Sequence, residues 1–269
     1  MPLPRMIATD LDGTVLRSDG TVSARTREAL RQAGAAGAEV VFVTARPPRY
    51  IDALGLDAGL AATAVCSNGA IVYDVGTRAV VQARALPVPV ARTVAQALAA
   101  ALRGVGFAVE TGYEVLCEPA FTKRFAADAG TETELASLAE LWRRAEPMVK
   151  LLCWSGRLDA DRMLAIACAA VGAAAEVTHS GGSGLLEISA PGVTKAGTLA
   201  ALCTARGIDP ADVVAFGDMP NDLTILDWAG TAYAMGNAHP AVRAAVGRHT
   251  ATNDADGVAD ILELLFATG

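Results

Sequence analysis

No apolar stretch of this 269-residue chain is long enough to cross a bilayer, although the mean hydropathy is +0.36. The longest, Thr93–Leu102 and Met163–Ala175, are closed by Arg92 and Arg103 and by Arg162 and Glu176. Both fall short of the ~20 residues a spanning helix needs, and both are alanine-rich segments suited to packed helices. The opening, MPLPRMIATDLDGT, has neither the basic n-region nor the long apolar h-region of a signal peptide, so a soluble, cytoplasmic protein with no membrane partner is expected. An excess of positive charge is also missing. With 22 Lys+Arg against 29 Asp+Glu, the net charge of -7 argues against general nucleic-acid binding but not against a small anionic substrate. The five cysteines (Cys66, Cys117, Cys153, Cys168, Cys203) include no CxxC, which speaks against a disulfide framework or a thiolate zinc site. They are expected to pack mainly as small hydrophobes. Histidine is scarce: His179, His239 and His249 show no ligand spacing, and surface or capping roles are expected for them. Gly181-Gly182-Ser183-Gly184 lacks the Lys and Ser/Thr of a P-loop and reads as a turn.

What the chain does have is a hydrophobic fraction of 52%, which excludes a disordered or collagen-like chain and provides for a substantial core. The first segment alternates strand and helix. Met6–Thr9, Glu39–Val43 and Thr63–Cys66 read as buried strands, and Ser23 to about Ala36 and Pro48–Leu54 as helices. That rhythm predicts an α/β fold with a doubly wound parallel sheet. It breaks at Ile71–Gln82, which reads as a hairpin. A separate α+β unit of about a hundred residues follows, with helices at about Pro89–Arg103, Glu132–Trp142 and Ala160–Val171 and strands at Phe107–Glu110, Glu114–Cys117 and Met148–Cys153. Two more strands flank His179–Gly184. After Pro191 the α/β rhythm returns through Lys195–Arg206, Val213–Phe216 and Asn221–Trp228 to Val258–Phe266. The expected division is therefore 1–84 and 190–269 for the α/β unit and 85–189 for the insertion, with Pro- and Gly-flanked crossings near Arg84–Pro89 and Ala190–Gly192.

Ligands of open α/β sheets bind beyond the carboxyl ends of the strands, and four polar motifs fall there. Asp10-Leu11-Asp12-Gly13-Thr14 follows the first strand. It is either a helix-capping turn or a pair of like charges that need a cation, for which hard oxygen ligands suit Mg²⁺. Thr44, at the end of Val40–Val43, either caps the next turn or donates to a phosphate. Lys195 sits at a helix start, where the dipole disfavours a cation; it is either solvated or placed there for function. Gly217-Asp218-Met219-Pro220-Asn221-Asp222 is either an N-cap with first-turn acids or a cluster of ligands. Together, four carboxylates balanced by a cation and Lys195 make the arrangement that phosphoryl transfer uses.

These motifs in this order resemble the haloacid dehalogenase (HAD) superfamily. Ser67-Asn68-Gly69-Ala70, the long insertion after it, and the tail pieces Met235-Gly236-Asn237-Ala238 and Thr252-Asn253-Asp254 resemble Cof-type phosphatases with a large α+β cap of the C2B type. The resemblance covers both core segments and only the element pattern of the insertion. It implies a HAD-like Rossmannoid core and a cap that sets specificity. It further implies Asp10 as nucleophile, Asp12 as acid–base, and Lys195 as the neutralising cation. Thr44, Ala45 and Asn221 would serve the phosphate, with Asn221 holding Lys195 or the phosphate. Asp10, the Asp12 carbonyl and Asp218 would hold Mg²⁺, and Asp222 would orient the ligands; Arg46 and Asn68 are candidate substrate contacts. The family usually carries Gly where Ala45 stands. The implied activity is Mg²⁺-dependent hydrolysis of small phosphorylated metabolites, with sugar phosphates the default class. The alternatives are a specialised sucrose- or mannosylglycerate-phosphate phosphatase, a phosphomutase, or a non-catalytic binding protein on the same fold.

Overall fold

The computed structural model describes residues 3–56, 58–123, 130–181 and 184–266, so Gly182 and Ser183 of the expected turn lie outside the described residues. The first strand, β1 (Met6–Thr9), is buried on both faces, as its unbroken apolar run requires. Ser23 caps α1 (Ala24–Ala35) by accepting the amide of Thr26, and Gly37 ends the segment with φ 96°. Then come β2 (Glu39–Val43), α2 (Pro48–Ala53), β3 (Thr63–Cys66) and the antiparallel hairpin β4 (Ile71–Asp74) and β5 (Ala79–Ala83).

A second group follows: α3 (Val88–Ala101), β6 (Gly106–Glu110), β7 (Val115–Cys117), β8 (Glu132–Glu134), α4 (Leu138–Arg144), β9 (Lys150–Trp154), α5 (Ala160–Val171), β10 (Glu176–Thr178) and β11 (Leu185–Ser189). The chain closes with α6 (Lys195–Arg206), β12 (Val213–Gly217), α7 (Leu223–Trp228), β13 (Thr231–Ala234), α8 (Pro240–Ala245) and α9 (Gly257–Phe266).

Among the described residues the strands make two sheets. One has seven strands in the order β13-β12-β1-β2-β3-β4-β5, parallel from β13 to β3 and antiparallel through the hairpin. The other has six in the order β10-β11-β9-β6-β7-β8, antiparallel except for the β7–β8 pair. The expected α/β fold with an α+β insertion is thus present.

Two expectations need correction. Glu132–Trp142 is not one helix: Glu132–Glu134 pairs with Val115–Cys117 as a strand, and the helix starts only after Ser137. Ser137 accepts from the amide of Glu140, while the Glu140 carboxylate accepts from the amide of Ala136. This reciprocal cap is the local signal that fixes the start. His179 is not a surface residue. It is buried, with Nε2 against Asp161 Oδ1 at 3.0 Å and Nδ1 accepting from the amide of Gly181. Among the described residues, no helix is long and apolar enough to cross a membrane.

The second sheet has two unlike faces, because alternate residues of a strand point opposite ways. Leu151 and Cys153 of β9, Leu186 and Ile188 of β11, and Phe107 and Val109 of β6 join the main core. Lys150, Glu187 and Glu110 occupy the other parity of the same strands, with Glu110 opposite Lys150 in the ladder. That face looks toward the carboxyl end of the seven-stranded sheet, as the contacts below establish.

Candidate active site

Asp10 directly follows β1, an inner strand flanked by β2 on one side and β12 on the other, where the chain connections diverge, and its amide donates to Phe216 O at 3.1 Å. At this switch point the strand ends leave a crevice. Lys195, at the start of α6, is almost fully buried, and its ammonium donates to Asp10 Oδ1 and Asp222 Oδ1, each at 2.6 Å. The other oxygen of Asp222 accepts the amides of Asp218 and Met219, both at 3.0 Å. Asp222 therefore pins the lysine and the loop carrying Asp218 at once. Asp218 accepts from the Thr14 hydroxyl at 3.1 Å, and its carbonyl accepts the amide of His239 at 2.8 Å.

Carboxylate oxygens of Asp10, Asp218 and Asp222 all lie within 4.8 Å of one another. Crowding and burial show in the proton affinities of Asp10 and Asp218. Burial pushes Asp10 well above the usual carboxylate range; Lys195 opposes this, and Asp222, Asp218 and Asp12 add to it. Asp218 is pushed up to about 7, by burial first and then by the charge of Asp222. Burial alone would lower the Lys195 pKa, but Asp10 and Asp222 outweigh it and hold the ammonium charged. A site so rich in buried carboxylate fits a hard divalent cation. Both oxygens of Asp222 are taken by N–H donors, which leaves Asp10 and Asp218 as the carboxylates free to ligate. Gly13 gives the cradle its tightness: at φ +70°, a Cβ there would sit 2.3 Å from Asp218 Oδ2.

The Asp12 carboxylate is outside this cluster. It faces the guanidinium of Arg46, whose Nε donates to Oδ2 at 2.6 Å while Nη2 donates to Oδ1. Thr44 is buried at the end of β2, its hydroxyl accepting the amide of Arg46 at 3.0 Å. Ser67, Asn68 and Gly69 follow β3 with φ of 52°, 57° and 102°, and the first two store strain because they carry side chains. The amide of Asn68 is bound to Thr44 O. A Cβ at Gly69 would lie 2.3 Å from Thr194 O, so glycine lets this turn press against the segment that carries Lys195. The Asn68 side chain accepts from Asn221 Nδ2 at 3.0 Å and donates to Glu187 Oε2 at 3.1 Å. Asn221 thus holds Asn68 rather than Lys195, and its own Oδ1 has no partner among the described residues.

Facing these groups is a cavity of about 340 Å³, walled on one side by Asp12, Ala45, Arg46 and Tyr50 and on the other by Glu110, Lys150 and Glu187. A larger groove of about 580 Å³ lies elsewhere, between α7 and the Val246–Arg248 segment, and is lined by none of Asp12, Ala45 and Arg46. Three contacts bridge the two sheets around the smaller cavity. Arg49 binds Glu110 through two N–H groups at 2.8 and 2.7 Å, Lys150 donates to Ala45 O at 2.8 Å, and Asn68 reaches Glu187. A fourth contact joins the two units where His239 Nε2 meets Asp161 Oδ2 at 3.1 Å. The reading of the sequence missed Glu110, Lys150 and Glu187. The available signal was a lone charge within an apolar strand, as in FAVE, VKLLCW and LLEIS.

The haloacid dehalogenase-like hydrolase family model matches residues 7–262. The chain is 28% identical to a 5-amino-6-(5-phospho-D-ribitylamino)uracil phosphatase of Bacillus subtilis strain 168, over 98% of each chain. It is 29% identical to a pyridoxal phosphate phosphatase of Escherichia coli K12, over 96% of this chain and 97% of that one. Among solved structures, a haloacid dehalogenase-like hydrolase from Bacteroides thetaiotaomicron superposes with a TM-score of 0.76 at 25% identity, covering 97% of this chain and 99% of the other.

Proposed function

The chain belongs to the haloacid dehalogenase-like hydrolases, a family whose relatives here are phosphatases, and we propose that it hydrolyses small phosphorylated metabolites, sugar and polyol phosphates first among them, with Mg²⁺. The observation that carries this reading is the buried Asp10–Lys195–Asp222 triad beside Asp218, two residues from Asp12, which lines a cavity of metabolite size. In the same reading, residues 1–84 and 190–269 are the catalytic core and 85–189 the cap that closes over the substrate. Arg84 ties the two crossings together by donating to Gly192 O at 3.1 Å.

In this reading each group has a role. Asp10 attacks phosphorus and carries the phosphoryl group as an aspartyl phosphate. Lys195 offsets the charge of Asp10 and of the incoming dianion, and Asp222 keeps its ammonium aimed. The Thr44 hydroxyl accepts from Arg46 and keeps its own hydrogen for a phosphoryl oxygen. Asp12 gives a proton to the leaving oxygen and later takes one from the attacking water, once Arg46 has released its carboxylate. Asp10, Asp218 and the Asp12 carbonyl would hold Mg²⁺, which would supply positive charge against a dianion that these carboxylates otherwise repel. A screen of phosphate release from some dozens of phosphorylated metabolites, with Mg²⁺ and with EDTA, tests the reading. Release that EDTA abolishes and Mg²⁺ restores is expected; full release from a metal-free preparation contradicts it.

A further inference from the structure

The three carboxylates lining the cavity are each matched to a cation: Asp12 to Arg46, Glu110 to Arg49 and Glu187 to Lys150. The last pair differs from the others in depth. Both Lys150 and Glu187 are more than nine-tenths buried, and their side chains meet at 2.5 Å. A buried ion pair is weak evidence for stability, since apolar residues of similar size often do as well or better. Its presence in a cavity wall calls for another reason.

Counting hydrogen-bond capacity supplies one. The Lys150 ammonium has three N–H groups, two of which go to Glu187 Oε2 and Ala45 O. The third has no partner among the described residues, although the residue lines the cavity. Glu187 Oε2 accepts from both Lys150 and Asn68, whereas Oε1 accepts only from Ser180, at 2.5 Å. Glu187 therefore keeps acceptor capacity beside a donor that is left over. Despite its burial, Lys150 holds the Glu187 carboxyl below the ordinary range, so it presents an anion.

Resting on the phosphatase reading above, we infer that Lys150 and Glu187 are the specificity-determining pair of this enzyme and that together they read hydroxyl groups of a polyol or sugar phosphate. A hydroxyl oxygen accepts from Lys150 while its hydrogen, or that of a neighbouring hydroxyl, is donated to Glu187. A carboxylate satisfies Lys150 but has no hydrogen for Glu187 and meets its charge. The aromatic ring in the wall, Tyr50, is already engaged by the guanidinium groups of Arg46 and Arg49 at 4.9 and 5.5 Å from its centre. The pair is also wired to the reacting end. Lys150 holds Ala45 O, next to Thr44, and Glu187 holds Asn68, whose amide is bound to Thr44 O. A hydroxyl seated on the pair therefore sits on the groups that support the phosphate loop.

The test uses the whole protein with Mg²⁺ and three kinds of substrate: p-nitrophenyl phosphate, the best polyol or sugar phosphate, and the mono-deoxy analogues of the latter. At least one deoxy analogue should lose about 100-fold or more in kcat/KM, because a site built for a hydroxyl rejects the analogue that lacks it. In the double variant Lys150→Met/Glu187→Met, which replaces the pair by apolar side chains of similar length, kcat/KM for the polyol phosphate should fall about 100-fold further than for p-nitrophenyl phosphate. Deoxy analogues turned over as well as their parents would overturn the inference using the unmutated protein alone. A folded double variant slowed equally on both substrates would also overturn it, making the pair structural. Failure to hydrolyse p-nitrophenyl phosphate or any other ester would instead sink the phosphatase reading, and the inference with it.

Discussion

Asp222 holds Lys195 with one carboxylate oxygen and the backbone amides of Asp218 and Met219 with the other, so one fully buried side chain fixes both the cation and the acidic loop. Its substitution should be costly in a specific way. Asp222→Asn is not conservative here, because whichever way the amide turns, an NH₂ group faces either the lysine or two N–H donors. Breaking a buried, hydrogen-bonded pair of this kind costs about 3–5 kcal/mol. Urea unfolding of Asp222→Asn should show a loss of that order, together with a large fall in turnover. A loss below about 1 kcal/mol would mean that the pair is not anchoring the loop.

Asp10→Asn should behave in the opposite way. Burial already favours the neutral form of Asp10, and Lys195 keeps Asp222 as a partner after the change. The variant should be as stable as the parent, or more so, while turnover falls by several orders of magnitude for want of a nucleophile. Thermal unfolding beside a phosphate-release assay checks both halves. A stable variant with appreciable turnover would remove Asp10 from the nucleophile's role.

The raised pKa of Asp218 has a pH consequence with a definite sign. In the metal-free protein it titrates at about 7, against 3.8 as its ordinary value, so between those limits the folded state holds the extra proton. Its contribution is fully present below about 4 and is lost as pH rises through about 7. A divalent cation needs the deprotonated form, so its affinity should weaken about tenfold per pH unit below 7 for one displaced proton. Mg²⁺ should therefore raise the unfolding temperature more at pH 8 than at pH 6. An equal increment at both would contradict a metal site containing Asp218.

How much of this was legible in the sequence depended on how locally each feature is encoded. β1, β2 and β3 follow from short apolar runs, and the four polar motifs stand directly at strand and helix ends, so Asp10, Thr44, Lys195 and Asp218 could be picked out without a fold. The second sheet was harder. TETELASLAELW carries apolar residues at helical spacing, and the pairing that turns Glu132–Glu134 into a strand comes from Val115–Cys117, more than a dozen residues away. Glu110, Lys150 and Glu187 come from three separate strands, and only ladder register and strand parity bring them to one cavity. The burial of His179 was not legible because its partner, the exposed Asp161, lies 18 positions earlier on a different element.

The most direct test of the account is Asp12→Ala with two substrates. The change leaves the backbone carbonyl in place and removes the carboxylate that Arg46 now holds. A sugar alcohol leaves poorly without a proton, so sugar-phosphate turnover should fall by about 10²–10⁴-fold. Nitrophenolate needs no proton to leave, so the first step with p-nitrophenyl phosphate should survive while dephosphorylation stalls. The predicted result is a burst of at most about one nitrophenolate per enzyme, with one phosphoryl group recovered on the peptide that carries Asp10. Equal slowing on both substrates, with no burst and no phosphorylated peptide although Mg²⁺ still binds, would contradict it.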